Sequence, residues 1–421
     1  MTTSSGSQAG PARVLTTADA ATIGVAAMIG AGVFAVFAPA AGEAGAWLPA
    51  ALLIAAVVAY CNATSSARLA ARHPQSGGTY VYGRERLGEL WGYLAGWAFI
   101  VGKVASCAAM ALTFASYVWP GWERPVALAA VATLTAVNYL GVRTSAWLSR
   151  LLLLGVLTAL AAVVAVSLGG SEAHPAHLSV SGEWPGFFGL LSAAGMLFFA
   201  FAGYARIATL GGEVRTPQTT IPRAITIALA AVFTVYLLVG ASALMVLGRD
   251  RLAASTAPLS DTVTAAGWPV LVPLVAAGAA LASLGALLSL ILGVSRTTAA
   301  MAADGNLPRY LSGIHGRFGV PHRAEAAVGA VVCALVLAVD LRGAIGFSAF
   351  GVLAYYAITN ASALRLGPEE NRPLLLVPVA GLTGCVVLAF SLPLSSVVSG
   401  GAVIALGAAL WLLRQVLLVR R

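Results

Sequence analysis

Apolar runs near 20 residues recur from about residue 20 to residue 418. That length matches the hydrocarbon core of a bilayer, roughly 30 Å thick. In lipid every backbone polar group needs an internal partner, so only helices and closed barrels can cross. These runs are continuous and show no period-2 alternation, which argues against a barrel. The chain therefore reads as an all-α polytopic membrane protein. Its composition agrees: 59% of residues are hydrophobic and 9% charged, against roughly 25% charged in a soluble domain.

Twelve spans are expected, near 20–41, 46–68, 89–118, 125–141, 145–168, 187–210, 221–247, 267–301, 324–341, 345–364, 374–391 and 395–418. The opening "MTTSSGSQAGPARVL" is a polar tail over 1–15. It has no basic segment leading into a short apolar core and cleavage site, so no cleaved signal peptide is expected. With the N-terminus inside, the inner loops carry 18 arginines and the outer loops Arg124, Arg249, Arg251 and Arg342. This asymmetry follows the positive-inside rule and puts both termini in the cytoplasm of a cell-membrane protein. The net charge of +9 is thus a topology signal, and no nucleic-acid partner is implied. The partners are the lipid bilayer and a small molecule.

Two spans are interrupted. The first holds "IGAGVF", with Gly30 and Gly32 flanking Ala31. Glycine weakens a helix by about 1 kcal/mol against alanine, so the pair invites local unwinding. Close helix packing through small residues is the other reading of this span taken alone. The sixth span holds Gly203 after the aromatic cluster Phe198, Phe199 and Phe201, and Arg206 follows within a turn. An interrupted span therefore opens each of two five-span units, 16–168 and 187–365, with two additional helices in 366–421. Paired interruptions point to inverted repeats with a binding site at the midplane. A half-helix N-terminus offers N–H groups to a carboxylate, and a half-helix C-terminus offers carbonyls to an ammonium group. Together they describe a receptor for an amino acid zwitterion.

Four segments resemble the amino acid–polyamine–organocation (APC) superfamily of permeases, from about Thr16 to the end of the chain. They are "IGAGVF", "HPQSGGTYVYGRERLGELWGYLAGW" from His73, "FFAFAGYARIATLGGEVRTPQTTIPRAI" from Phe198, and "SRTTAAMAADGNLPRYLSGIHGRFGVPHRA" from Ser295. The resemblance implies a LeuT-type fold of 5+5 inverted repeats plus two C-terminal helices. It implies a permease working by alternating access, as a symporter or antiporter. It places the substrate-binding set at Met28, Ile29, Gly30, Ala31, Gly32, Phe199, Ala202 and Gly203. The Ala31 and Gly32 N–H groups would take the α-carboxylate, and the Met28, Phe199 and Ala202 carbonyls the α-amine. Phe199 would close over the substrate, and "SGGTY" would lie over the cytoplasmic mouth. The chain departs from its relatives in two places. Val156 stands where many proton-coupled relatives carry a lysine, and Glu213, preceded by Gly212, stands alone where they carry an acidic pair.

Lys103 is the only lysine in the chain, and it falls mid-span. A charge at the bilayer centre costs about 2.5–3.5 kcal/mol on insertion scales. Lysine, unlike arginine, can lose its proton when desolvated. Gly92, Gly96, Phe99, Lys103, Ser106, Met110 and Thr113 recur at helical spacing, so they share one small, partly polar face. Lys103 is read as the coupling residue, bridging spans 1 and 8 and linking transport to protons; the bland alternative is a static pin. Arg206 is read as a gating or structural residue, with Glu213 as its partner.

No Asp or Glu falls deep in a span, which points to neutral, apolar amino acids. Cationic amino acids, polyamines, or a sensor that binds without transporting are the alternatives. Cys61, Cys107, Cys333 and Cys385 lie in apolar segments without metal-ligand spacing and read as small packing residues. His174 and His177, in an outer loop, read as solvated. There is no metalloprotease, phosphate-loop or nucleophile-elbow motif, so neither an enzyme nor a cofactor is expected.

Overall fold

The computed structural model describes residues 15–73, 77–141, 146–170, 172–180, 184–208, 214 and 216–419. Residues 1–14 of the expected tail, and Glu213, lie outside them. The described residues form helices α1 (Thr17–Met28), α2 (Gly32–Ala35), α3 (Phe37–Ala44), α4 (Leu48–Arg72), α5 (Thr79–Leu87) and α6 (Glu89–Val118). These are followed by α7 (Glu123–Tyr139), α8 (Ala146–Gly169), α9 (Gly186–Phe201), α10 (Ala205–Ala208), α11 (Pro217–Ala254) and α12 (Pro258–Ala265). The chain continues through α13 (Val272–Ala303), α14 (His322–Ala338), α15 (Leu341–Ala363), α16 (Leu376–Ser391) and α17 (Leu394–Val419).

Every apolar segment picked out in the sequence carries a helix, and α5 and α12 are short helices between spans. Among the described residues, nine helical stretches are long and apolar enough to cross a membrane. The segments expected as spans 4, 9 and 11 form α7, α14 and α16, of 17, 17 and 16 residues. At 1.5 Å per residue these reach only about 24–26 Å.

Local signals set the helix ends. Thr16 caps α1: its side chain accepts from the Asp19 N–H, and the Asp19 carboxylate accepts from the Thr16 N–H at 3.1 Å. Reciprocal capping of this kind satisfies two orphan donors. Pro49 sits in the first turn of α4, where a missing N–H costs nothing. Gly248, at φ 69°, bends the far end of α11.

The core is apolar and rich in small residues, which lets helices approach closely in a membrane. The face of α6 anticipated from its spacing does look inward. Gly92 packs on Arg84 of α5, and Gly96 on Met301 of α13. The Phe99 ring lies 5.3 Å from that of Tyr355 on α15. The α6 and α15 backbones touch: a Cβ on Gly351 would lie 2.8 Å from the Gly102 Cα. One turn away, the Ser106 and Ser348 hydroxyls share a hydrogen bond of 2.6 Å. All four cysteines are free; Cys61, Cys107 and Cys385 are buried and Cys333 is half-buried.

Candidate substrate and gating site

The first span is broken. Helix α1 stops at Met28, and Ile29 leaves helical geometry at φ −76°, ψ 70°. The Gly30 N–H donates back to the Met28 carbonyl at 2.8 Å. The chain re-enters helix at Gly32, where the Val36 N–H donates to the Gly32 carbonyl at 2.9 Å. Among the described residues, the Ala31 and Gly32 N–H groups make no backbone hydrogen bond. Such orphan donors belong to any helix start, but here they are inside the protein: Met28, Ile29 and Ala31 are all buried.

The sixth span changes pitch without unwinding. Helix α9 ends at Phe201, and Ala202–Tyr204 form a 3₁₀ turn that leads into α10. Ala202 stays near helical geometry at φ −62°, ψ −1°, with its N–H on the Phe199 carbonyl. The interruption expected at Gly203 is therefore a tightened turn, because the residues around that one glycine keep their right-handed φ values. Phe199 and Ala202 are buried.

The two spans cross at their irregular points. A Cβ on Gly32 would lie 2.8 Å from both Cα and Cβ of Ala200. A Cβ on Gly203 would overlap the Ala27 carbonyl and lie 2.8 Å from the Met28 nitrogen. Each span thus presents a glycine to the other's backbone. Gly30 differs, since a Cβ there would meet only the Ala286 methyl of α13 at 3.4 Å.

Two tyrosines that no sequence pattern singles out pin this region. The Tyr236 hydroxyl on α11 lies 2.6 Å from the Met28 carbonyl and 3.1 Å from the Ala200 carbonyl. The Tyr117 hydroxyl on α6 donates to the Phe34 carbonyl at 2.8 Å and accepts from the Leu259 N–H at 3.1 Å.

The expected coupling and gating residues are less tightly gathered. Lys103 is half-buried on the inward face of α6 and makes no hydrogen bond or ion pair among the described residues. No bridge from it to α1 or α13 is formed in this packing. Arg206 is exposed on α10. Its suggested partner Glu213 is outside the described residues.

On the side read as cytoplasmic, α5 is clamped in place. The Arg86 guanidinium donates to both oxygens of Glu370, at 2.9 and 2.5 Å, and Arg72 donates to one at 3.1 Å. The Gly367 N–H adds a bond of 2.9 Å. The Arg86 hydrogen bonds, then the Gly367 N–H, hold the Glu370 carboxyl down at about 2. A second set joins α5 to the end of α13. Tyr80 donates to Asp304 at 2.6 Å, Arg84 reaches the same oxygen at 3.1 Å, and Asn306 donates to the Tyr80 hydroxyl at 2.8 Å. Burial, then the bond to Asp304, pushes the Tyr80 phenol up to about 12. The Thr79 N–H donates to Tyr355 at 3.1 Å, which fastens the described part of "SGGTY", Gly77 to Tyr80, to α15; Ser76 lies outside the described residues. Among the described residues no three His, Cys, Asp or Glu side chains gather as a metal site.

A helical chain with several membrane-length spans, a buried crossing of two irregular ones and a polar clamp at one end belongs to the class of polytopic membrane transporters. Comparison with known proteins narrows this. The amino acid permease family model matches residues 19–402. An uncharacterized transporter of Mycobacterium tuberculosis is 60% identical over 95% of this chain and 90% of its own length. Human cationic amino acid transporter 4 is 30% identical over 86% of this chain and 61% of its own length. A branched-chain amino acid permease of Bacillus subtilis is 25% identical over 84% and 80%. The chain belongs to the amino acid permease family. It is a transporter.

Proposed function

We propose that the protein moves neutral, apolar amino acids across the cell membrane by alternating access, in a twelve-span, LeuT-type arrangement with cytoplasmic termini. The observation that carries this reading is the reciprocal crossing at Gly32–Ala200 and Gly203–Ala27. It brings the unpaired Ala31 and Gly32 N–H groups near the carbonyl ends of α1 and α9. Donors at a helix start suit a carboxylate, and carbonyls suit an ammonium. Met28, Ile29, Gly30, Phe199, Ala202 and Gly203 would complete the pocket. None of these residues is acidic, which favours a neutral side chain. The names of the human cationic transporter and the Bacillus branched-chain permease give one relative on each side of that choice.

Lys103 is the proposed coupling residue. A half-buried ammonium with no hydrogen bond or ion pair among the described residues is costly, and a lysine can relieve that cost by releasing its proton. Arg206 and Glu213 would gate the cytoplasmic side. The test is counterflow in proteoliposomes loaded with leucine, following entry of labelled leucine with and without a pH gradient. Leucine entry that arginine and spermidine do not inhibit supports the reading, and entry of labelled arginine in place of leucine replaces it with the cationic one. The Lys103→Arg variant is expected to lose the response to the gradient; a response equal to wild type removes Lys103 from coupling.

A further inference from the structure

Tyr236 is fully buried, yet its hydroxyl faces two carbonyls on two different helices. A phenol has one hydrogen to donate. At 2.6 Å against 3.1 Å, that hydrogen belongs to Met28, and the Ala200 carbonyl receives only the weaker share. The ring has little room to aim elsewhere. Phe37 and Phe201 meet it edge-on, at centroid distances of 6.5 and 5.2 Å. Met28 ends α1 just before the break, and Ala200 is the residue against which Gly32 packs. One side chain from a third helix therefore ties together the two spans that cross.

We propose that Tyr236 is a positioning residue that couples substrate capture to the fit between the two irregular spans. Its hydrogen lies on the Met28 carbonyl in this packing and passes to the Ala200 carbonyl when a substrate ammonium takes Met28. This rests on the reading that an amino acid binds at the crossing. The count of donors supports the exchange. The Met28 carbonyl already accepts from the Gly30 N–H at 2.8 Å, so with the phenol both of its lone pairs are taken and an incoming ammonium must displace the phenol. An ammonium brings three further donors. Once it holds Met28, the phenol can satisfy Ala200 in full. Capture of the amine is then felt in α9 through a hydrogen bond that the substrate never touches.

The test compares binding with turnover in Tyr236→Phe, which keeps the ring and removes the hydrogen. Leucine affinity is measured on purified protein, and maximal exchange rate in proteoliposomes. The variant is expected to bind leucine at least as tightly as wild type, because the phenol no longer competes for the Met28 carbonyl, and to exchange it about tenfold more slowly, a split that marks loss of a step after binding. Tyr236→His keeps a ring N–H donor and is expected to exchange faster than Tyr236→Phe. Binding and rate falling together, or neither changing, overturns the proposal. If Tyr236→Phe does not fold, Tyr236→His decides alone: a slower rate with affinity kept supports the exchange, and parallel loss overturns it. Failure of the wild-type protein to bind any amino acid sinks the substrate reading itself, and is seen before any variant is compared.

Discussion

The crossing and the clamp hold the molecule by opposite means. At the crossing, side chains are removed so that backbones touch: Gly32 on Ala200, Gly203 on Ala27. At the clamp, long charged side chains reach across from helix to loop: Arg72 and the part-buried Arg86 to Glu370, Arg84 to Asp304. A charge inside the bilayer is expensive, so contact there comes from close packing. Outside it, charges are cheap to keep but bind weakly, typically 0–1 kcal/mol per exposed pair.

Substitutions can break this contrast. The largest effect is expected at Gly203, where any Cβ overlaps the Ala27 carbonyl. Gly203→Val should abolish folded yield in membranes, read by size-exclusion chromatography of detergent extracts; a monodisperse, transporting variant would mean that the spans do not cross there. Gly32→Ala should be milder, since its methyl would lie 2.8 Å from the Ala200 Cα and Cβ instead of overlapping a carbonyl. Overpacking of this kind costs about 1–3 kcal/mol, visible as a lower melting temperature and slower exchange.

The clamp should respond to pH and the crossing should not. The Glu370 carboxyl is held below its ordinary value of 4.5, at about 2. A carboxylate shifted down in the folded state stabilises it above the unfolded value, and that contribution is lost as pH falls through the folded value. Glu370→Gln should therefore melt below wild type at pH 7, with the gap closing between about pH 4.5 and 2. A gap that is constant with pH would show that the charge is not what holds α5. The smallest effect is expected for Gly30→Ala, whose new methyl meets only Ala286 at 3.4 Å. Its stability should stay within about 1 kcal/mol of wild type. A change as large as that of Gly32→Ala would show that the break itself, rather than the space around it, needs glycine at Gly30.

Much of this layout was legible in the sequence. Length and hydropathy marked the helices, and the glycines of "IGAGVF" and "AGYAR" marked the irregular spans. Other features were hidden for physical reasons. Whether a glycine unwinds a span or only tightens it depends on neighbours' φ and ψ, so the open break at Ile29 and the 3₁₀ turn at Ala202–Tyr204 looked alike. Tyr236 acts on Met28, 208 positions away, and a single tyrosine in an apolar span has no periodic signal to betray it. Glu370 lies in a short loop 298 positions from Arg72 and 284 from Arg86, and only the fold brings them together.

The seam between α6 and α15 has a mechanical meaning. Gly102 and Gly351 meet with no side chain between them, and the Ser106–Ser348 bond lies one turn along. At the glycines backbone bears directly on backbone, and the serine bond fixes the height of one helix against the other. The two helices are thereby joined as a single spar, held by backbone contact at one level and by a hydrogen bond at the next.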